Sequence, residues 1–410
     1  MAGVTTFLAM AYITVVNPGI LSAAGMDFGA VFVATCLAAA IGTAIMGLYA
    51  NYPVAQAPGM GQNAFFTYGI VLGMGYSWES ALGAVFISGL VFIALSVLPV
   101  REWLINAMPR SLKLGISAGI GFFLGIIALS GSGIIVSNEA TLVSLGDLTE
   151  TPAILMLFGF VVIAALSARR VVGAVVLGML LVTLLGWATG AAEFAGVFSA
   201  PPPLTTLFEL DIAAALDLSM VTVIITLLLV DVFDTAGTLV GVANRAGMLD
   251  DNGHLPRLRR ALLSDSSATA IGALLGTSST TSYIESAAGV EAGGRTGLAA
   301  VVTAGLFLLC LFIAPLAQSI PAFATGAALL FVATIMARAL EDLEWADIGE
   351  SAPAVVTALA IPLTYSIADG IGLGFITYAL VKIASGHASR CPLAVYVVAA
   401  IFMLKFGFLS

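Results

Sequence analysis

Long apolar stretches, separated by short polar or glycine-rich breaks, recur from one end of the chain to the other. Two of them are "AVFVATCLAAAIGTAIMGLYA" (30–50) and "ALGAVFISGLVFIALSVLPV" (81–100). Each is close to the roughly 20 apolar residues that a helix needs to cross the hydrocarbon core of a bilayer. The pattern therefore predicts an all-α polytopic membrane protein in contact with the lipid bilayer.

The same pattern divides the chain into two series of seven segments. The first series is 4–23, 30–50, 60–75, 79–99, 112–130, 152–168 and 172–190. The second series is 219–238, 262–277, 283–296, 297–318, 322–340, 353–367 and 370–386. We expect about 14 transmembrane segments, although 60–75 and 283–296 are too short or too glycine-rich to be simple spanning helices. A last apolar block, 393–409, is either an extra span or a helix that lies against the membrane.

Composition agrees with this interpretation and excludes several classes of function. The chain has 410 residues, of which 60% are hydrophobic and 9% charged, whereas an ordinary soluble domain carries about 25% charged residues. A net charge of −9 does not suggest a nucleic-acid partner. The three cysteines lie far apart and both histidines fall in predicted loops, so we expect no metal site, no cofactor and no enzyme activity.

The distribution of basic residues predicts the orientation. If the N-terminus is cytoplasmic, even-numbered segments end inside, and the inner connections then hold nearly all of the cations: Arg101, Arg110, Lys113, Arg169, Arg170, Arg245, Arg257, Arg259, Arg260, Arg295 and Arg338. The longest outer loops, 138–150 and 191–217, contain no Lys or Arg. This asymmetry follows the positive-inside rule and favours a cytoplasmic N-terminus in the cell (plasma or inner) membrane.

The two series resemble each other in order. "VVNPGILSAAGM" (15–26) aligns with "VFDTAGTLVGVANRAGM" (232–248), which sets Asn17 opposite Asp234, and "AAIGTAIMGL" (39–48) aligns with "TAIGALLGT" (269–277). Because seven is odd, the second copy must be inverted relative to the first. Inverted repeats with broken helices are typical of secondary transporters that bind substrate near the midplane. We therefore predict two repeats, 1–212 and 213–410.

We single out three carboxylates in predicted membrane segments, where ionisable groups are costly and indicate function. "LLLVDVFDTAGTLVG" (227–241) contains Asp231 and Asp234, three residues apart on neighbouring parts of one helix face. Glu285 follows the hydroxyl-rich "TSSTTSY". Asp231 could equally be a structural carboxylate bonded to a hydroxyl such as that of Thr235, and the hydroxyls of 280–282 could serve helix packing.

The glycines of "APGMGQNAFF" (57–66) and the hydroxyls of "TSSTTSY" indicate short extended or broken backbone rather than mid-helix. Such backbone is tolerated at membrane depth only where it lines a cavity or is buried in protein. Asn63 takes the place of Glu285 in the first repeat. The free backbone groups beside both residues are then available to a polar ligand.

The candidate residues suit a flat, polar ligand. A carboxylate accepts two adjacent N–H donors, which fits the edge of a heterocycle, and Asn63 supplies a donor and an acceptor. Phe65, Phe66, Phe233 or Tyr283 could stack on such a ring, although most membrane aromatics only pack. Burial can let a carboxyl group exchange protons near neutral pH. The residues alone indicate a proton-coupled transporter of a small polar or uncharged solute.

Four stretches identify the solute class by resemblance. "GVTTFLAMAYITVVNPGIL" (3–21), "APGMGQNAFF", "DVFDTAGTLVGVANRAG" and "GTSSTTSYIESAAGVEAGGRTGL" (276–298) resemble the AzgA-like purine permeases. This is the adenine/guanine/hypoxanthine branch of the nucleobase transporter (xanthine/uracil permease) superfamily. Relatives for uracil and xanthine usually carry a Glu and a His in span eight, where this chain has Asp234 and Thr238.

The resemblance implies a uracil-permease-like fold of seven plus seven inverted spans, with spans 1–4 and 8–11 forming a core and spans 5–7 and 12–14 forming a gate. The core would move against the gate in an elevator-type cycle. The base would bind where short strands of segments 3 and 10 meet. H⁺ is the expected coupling ion in preference to Na⁺, and a homodimer is a further implication.

The resemblance implies that Asp234 and Glu285 hold the base and that Asn63 and Asp231 are important for transport. Together with the chemistry of the neighbouring residues, this gives two sets of candidates. Those expected to bind the purine are Asp234, Glu285, Asn63, Phe65, Phe233, Tyr283, Ile284 and Thr281. Those expected to carry the coupling proton are Asp231, Glu285 and Asp234. Two alternatives stay open: an anion transporter of related architecture, and a uracil or xanthine permease of the same fold. Carboxylates at both predicted half-helices, Asp234 and Glu285, argue against an anion site because they would repel the anion.

Overall fold

A computed structural model describes residues 1–98, 108–249 and 255–408 of this chain. Arg101 and His254, which entered the sequence argument, lie outside the described residues. In the first part the helices are α1 (Ala2–Met10), α2 (Ile13–Ser22), α3 (Phe28–Ile45), α4 (Met60–Ala64), α5 (Trp78–Val97), α6 (Arg110–Gly131), α7 (Thr151–Ala168) and α8 (Ala174–Ala188). Short π-helices, Met46–Ala50 and Phe65–Gly73, continue α3 and α4.

The later helices follow the same plan. They are α9 (Ile212–Ala215), α10 (Val221–Arg245), α11 (Leu258–Leu275), α12 (Ser286–Glu291), α13 (Gly297–Cys310), α14 (Ala314–Gln318), α15 (Ala322–Ala337), α16 (Ile348–Thr364), α17 (Ile367–Ala384) and α18 (Leu393–Phe408). Short 3₁₀ turns are Leu218–Met220, Leu311–Ile313, Arg338–Asp342 and Ala388–Arg390. Every predicted apolar segment therefore contains a helix.

Among the described residues, nine helices are long and apolar enough to cross a membrane, and three shorter apolar helices accompany them. This confirms a mostly helical polytopic protein. Segments 60–75 and 283–296 are not among the nine, as their glycine content suggested. The count of fourteen crossings stays a prediction.

Two pairs of strands interrupt the helices. β1 (Gln56–Pro58) pairs antiparallel with β4 (Thr280–Ser282), and β2 (Ile135–Asn138) pairs with β3 (Leu142–Leu145). Short strands are predicted in segments 3 and 10; β1 and β4 lie just before the predicted bounds of these segments. The β2–β3 hairpin lies in a region expected to be a plain loop; a turn at residues 139–141 brings two short strands rich in Ile, Val and Leu together.

The helices pack in two sets. In the first, here called the strand-bearing group (α1–α5 and α9–α14), α3 packs on α11 and α13, and α5 packs on α11. In the second, here called the helix-only group (α6–α8 and α15–α17), α6 packs on α15 and α16 while α15 packs on α7 and α8. Close approach in the second group depends on Gly115, where a Cβ would lie 2.5 Å from the carbonyl oxygen of Ala354.

The terminal helix α18 runs back along α17. Lys405 Nζ lies 2.6 Å from Asp369 Oδ1, near the start of α17, and the ring of Phe402 lies against Gly372. The two helices are therefore antiparallel and of similar length. Asp369, for which the sequence suggested no role, is the partner that fixes the far end of α18.

Candidate functional site

The β1–β4 pair marks the centre of the strand-bearing group, and each strand leads directly into a short helix. Ala57 pairs with Thr281, and the backbone ladder extends through Gly59 N to Ser279 O and Tyr283 N to Ala55 O, each 2.9 Å. All three residues of both strands are buried. Only two short strands meet, so their outer backbone groups need other partners.

Hydroxyl side chains supply those partners. Thr43 Oγ1 accepts from Gln56 N at 2.8 Å, and Thr269 Oγ1 donates to Thr280 O at 3.0 Å. Ser286 Oγ accepts from Ala55 N at 3.0 Å. Hydroxyls on the neighbouring helices α3, α11 and α12 therefore allow this extended backbone to be buried.

Glu285 lies at the start of α12, immediately after β4. Its Oε1 accepts a hydrogen bond of 2.5 Å from the hydroxyl of Tyr12, which lies in the break between α1 and α2. The side chain is partly exposed and, with Tyr12, lines a cavity of about 850 Å³. Arg170, Arg245 and Arg338 line the same cavity. A carboxylate oxygen is thus available to a ligand entering this space.

Asp234 faces a second cavity of about 380 Å³. The residue is exposed, and its Oδ2 receives a long hydrogen bond of 3.4 Å from Thr281 Oγ1. Phe233 and Ile284 line this cavity beside it. Ile335 lines both cavities, so the two spaces adjoin at one side chain of α15.

Asp231 is placed differently from Asp234. It is fully buried, accepting from Thr269 Oγ1 at 2.8 Å and from Gln62 Nε2 at 3.5 Å. Thr235, the partner considered from the sequence, instead donates to Asp265. Asp231 is therefore held between α10, α11 and α4, away from both cavities.

The structure does not bring every predicted binding residue to a cavity. Asn63 is buried and donates to Asn17 Oδ1 at 2.8 Å; Asn17 in turn donates to Thr35 and Thr277. Phe65 is buried in the apolar core, and Tyr283 donates to Pro58 O at 2.5 Å. Neither cavity is lined by these three predicted residues.

Asp265 was missed from the sequence. It is fully buried in α11, and it accepts from Gln56 Nε2 at 2.9 Å, Ser282 Oγ at 2.7 Å and Thr235 Oγ1 at 2.6 Å. One carboxylate thus ties β1, β4 and α10 together. The signal was available, because Asp265 lies inside the predicted segment 262–277, where the cost of burying a carboxylate applies equally.

Comparison with known proteins assigns this arrangement to a family. A sequence model of the Xan_ur_permease group, described as "Permease family", matches residues 1–373. The chain belongs to this permease family. The predicted family resemblance is confirmed, and the family is one of membrane transporters rather than enzymes.

Individual relatives are similar over nearly their whole length. Adenine permease AdeP of Escherichia coli strain K12 is 46% identical over 411 residues, covering 100% of this chain and 92% of the relative. Guanine/hypoxanthine permease PbuG of Bacillus subtilis strain 168 is 46% identical over 423 residues, covering 100% and 96%.

A solved structure has the same fold. The transmembrane domain of a cyanobacterium bicarbonate transporter, BicA, aligns with a TM-score of 0.68 and 18% identity, covering 91% of this permease and 95% of that chain. At this identity the match concerns the fold alone. The permease is accordingly a multi-pass membrane protein of the nucleobase permease family.

Proposed function

We propose that this permease imports purine nucleobases (adenine, guanine or hypoxanthine) by proton symport, with elevator-type alternating access. The observation that carries the proposal is the pair of carboxylates, Asp234 and Glu285, that open into adjoining cavities beside the strand crossing. Relatives over the full length are adenine and guanine/hypoxanthine permeases. Acceptors placed in this way match the N–H groups of a purine.

The proposed roles follow from the contacts. Asp234 and Glu285 accept hydrogen bonds from the base, Phe233 and Ile284 provide apolar contact, and Thr281 orients Asp234. The coupling proton is carried by Asp231, Asp234 or Glu285. Asn63, Phe65 and Tyr283 support the site from behind through the packing of α2, α4 and the strand pair.

The architecture supports a core and a gate built from inverted repeats 1–212 and 213–410. The strand-bearing group corresponds to the core and the helix-only group to the gate. In two repeats of seven segments, α3 is equivalent to α11 and α5 to α13, so the contact of α3 with α13 has its counterpart in the contact of α11 with α5. In the same way, the contact of α6 with α16 has its counterpart in the contact of α15 with α7. In a fourteen-span topology with a cytoplasmic N-terminus, the Glu285 cavity faces the cytoplasm. The reason is that it is lined by three residues of the inner connections, Arg170, Arg245 and Arg338.

Two alternatives are weaker. The likeness to a bicarbonate transporter concerns the fold alone. An anion held directly against Asp234 or Glu285 would be repelled, although three arginines also line the Glu285 cavity. For uracil or xanthine, related permeases usually carry a Glu and a His where this chain has Asp234 and Thr238. Thr238 lines the Asp234 cavity, so the difference affects the site itself.

The test is uptake of labelled adenine, guanine, hypoxanthine and uracil into cells that lack their own permeases for these bases, with and without a protonophore. We expect accumulation of at least one purine, no accumulation of uracil, and loss of accumulation when the protonophore is added. No purine uptake under any condition would contradict the proposal and favour the anion alternative. Purine accumulation that resists the protonophore but requires Na⁺ would contradict proton coupling and leave purine transport standing.

A further inference from the structure

The cavity that contains Asp234 lies across the boundary between the two helix groups. On one wall, α4 and α10 of the strand-bearing group contribute Gln62, Phe233 and Asp234. On the other wall, α6 and α15 of the helix-only group contribute Lys113, Ser117 and Ile335. Of the described residues that line this cavity, Asp234 is the one anion and Lys113 the one cation, and they belong to opposite walls.

Lys113 is placed on the predicted stacking surface. Its Nζ lies 5.0 Å from the centroid of the Phe233 ring, within the range of a cation–π contact. An aromatic ring face that holds an ammonium group in the ligand-free site can instead stack on the π-face of a purine. A bound base would then displace the ammonium group sideways, along the edge of the base.

A protein site that binds a purine must supply a hydrogen-bond donor as well as acceptors. Asp234 can only accept from the base when it is ionised, and Nε2 of Gln62 lies 3.5 Å from Asp231 Oδ1. Lys113 is the charged donor among the described residues that line this cavity. Guanine and hypoxanthine carry two adjacent acceptors, O6 and N7, and this edge is the one that lysine and arginine recognise in nucleic acids. Adenine carries an amino donor at position 6 beside N7, which an ammonium group matches less well.

We propose that Lys113 is a substrate-binding residue on the gate side of the site, where its ammonium group donates to the O6/N7 edge of a 6-oxopurine while Asp234 accepts from the base on the opposite wall. The inference rests on the proposed purine transport and goes further by making Lys113 a determinant of purine specificity. It also means that the base contacts both moving groups, so the loaded site bridges them.

The competing structural interpretation is that Lys113 lies near the end of α6 and extends its ammonium group toward the membrane surface, as lysines near helix ends do. Both interpretations allow the contact with Phe233. The two interpretations predict different uptake kinetics. A lysine whose ammonium group only extends to the membrane surface has no effect on the ratio of the KM values for two purines.

The experiment measures initial uptake rates against concentration for hypoxanthine and adenine in permease-deficient cells. The variants are Lys113→Met and Lys113→Arg, with Lys405→Met as the matched control because it removes a membrane lysine far from the site. Amounts in the membrane are measured with a fluorescent tag. If Lys113→Met does not insert, Lys113→Gln replaces it.

We expect Lys113→Met to raise the KM for hypoxanthine about tenfold or more and the KM for adenine less than about threefold. Lys113→Arg, which keeps a charged donor, should recover most of the hypoxanthine KM, and Lys405→Met should leave the ratio of the two KM values unchanged. An unchanged hypoxanthine KM, or an equal rise for both bases, would overturn the inference.

Uptake by the wild-type protein distinguishes failure of the Lys113 proposal from failure of the purine-transport proposal. Wild-type uptake of adenine without hypoxanthine would overturn the role of Lys113 but leave purine transport intact. Wild-type uptake of none of the three bases adenine, guanine and hypoxanthine would end the transport proposal itself, and the role of Lys113 with it.

Discussion

Asp231 and Asp234 lie three residues apart on α10, yet their surroundings differ. Residues three apart on an α-helix are separated by about 60° around its axis, and this rotation is enough to change the neighbouring element. Asp231 therefore faces α11 and accepts from Thr269, whereas Asp234 faces the cavity with one long hydrogen bond. Spacing on the helix indicates a shared face but not which of the two residues meets a ligand.

Glu285 provides the first prediction at this scale. Glu285→Gln keeps the size of the side chain but replaces one carboxylate oxygen with an NH2 group. One of the two donors, the hydroxyl of Tyr12 or the purine N–H, then faces another donor instead of an acceptor. We expect purine uptake to fall to background while the amount in the membrane stays close to that of the wild type. Uptake is measured with labelled base, and the amount with a fluorescent tag.

The matched control is Glu291→Gln, on the same short helix, where the carboxylate forms an exposed ion pair with Arg245 at 3.1 Å. Exposed pairs contribute little to stability, so this variant should insert normally. Normal accumulation of purine by Glu285→Gln would show that the assignment of Glu285 to binding or coupling is wrong.

At the scale of elements, the crossing of β1 and β4 depends on partners from outside the strands. Two strands of three residues cannot be stable alone. Asp265 on α11 accepts from a side chain on each strand and from Thr235 on α10. Gln56 on β1 is 209 residues from Asp265, so the link to this strand exists only because the two halves of the chain meet.

Asp265→Asn is the corresponding prediction. The asparagine presents two N–H donors to a site that now supplies three donors to a carboxylate, so at least one buried donor loses its acceptor. We expect a loss of about 2–4 kcal/mol in stability. The measurement is the midpoint of thermal unfolding of the purified protein in detergent.

Asp217→Asn is the control for this variant, because Asp217 is exposed before α10 and should leave the midpoint within error. Equal midpoints for Asp265→Asn and the wild type would mean that the hydrogen bonds of Asp265 do not hold the crossing together. A lower midpoint with an unchanged KM for purines would identify Asp265 as structural only.

At the scale of the whole molecule, the orientation in the membrane rests on the asymmetry of basic residues. The same topology places the β2–β3 hairpin outside and the turn between α7 and α8 inside. The three native cysteines are buried, so single introduced cysteines can be labelled with little background.

We expect Thr141→Cys, in the exposed hairpin turn, to react with a membrane-impermeant maleimide in intact cells. Arg170→Cys, in the exposed turn after α7, should react only after the membrane is permeabilised. Labelling is read on a gel after purification of the protein. The reverse pattern would place the N-terminus outside and require the cavity with Glu285 to open outward.

The hydropathy pattern by itself determined the membrane class, the positions of the helices and the two segments, 60–75 and 283–296, that are not simple spanning helices. The physical reason is that a segment can cross lipid only if its backbone N–H and C=O groups are hydrogen-bonded, which a continuous helix achieves within itself. The motifs determined the family. The candidate site was predicted only in part. Asp231, Asp234 and Glu285 are visible as carboxylates in apolar sequence, and the strands before α4 and α12 follow from glycine and hydroxyl content.

Only the tertiary structure decided which of those groups reach a cavity. Asn63, Phe65 and Tyr283 turn into the interior, whereas Tyr12 and Lys113 border the two cavities. Asp265 is stabilised by three donors on three other elements, one of which, Gln56, is 209 residues away in the chain. The physical reason is that hydropathy reports the cost of burying a group, while the hydrogen-bond partners that offset this cost are set by tertiary contacts between elements.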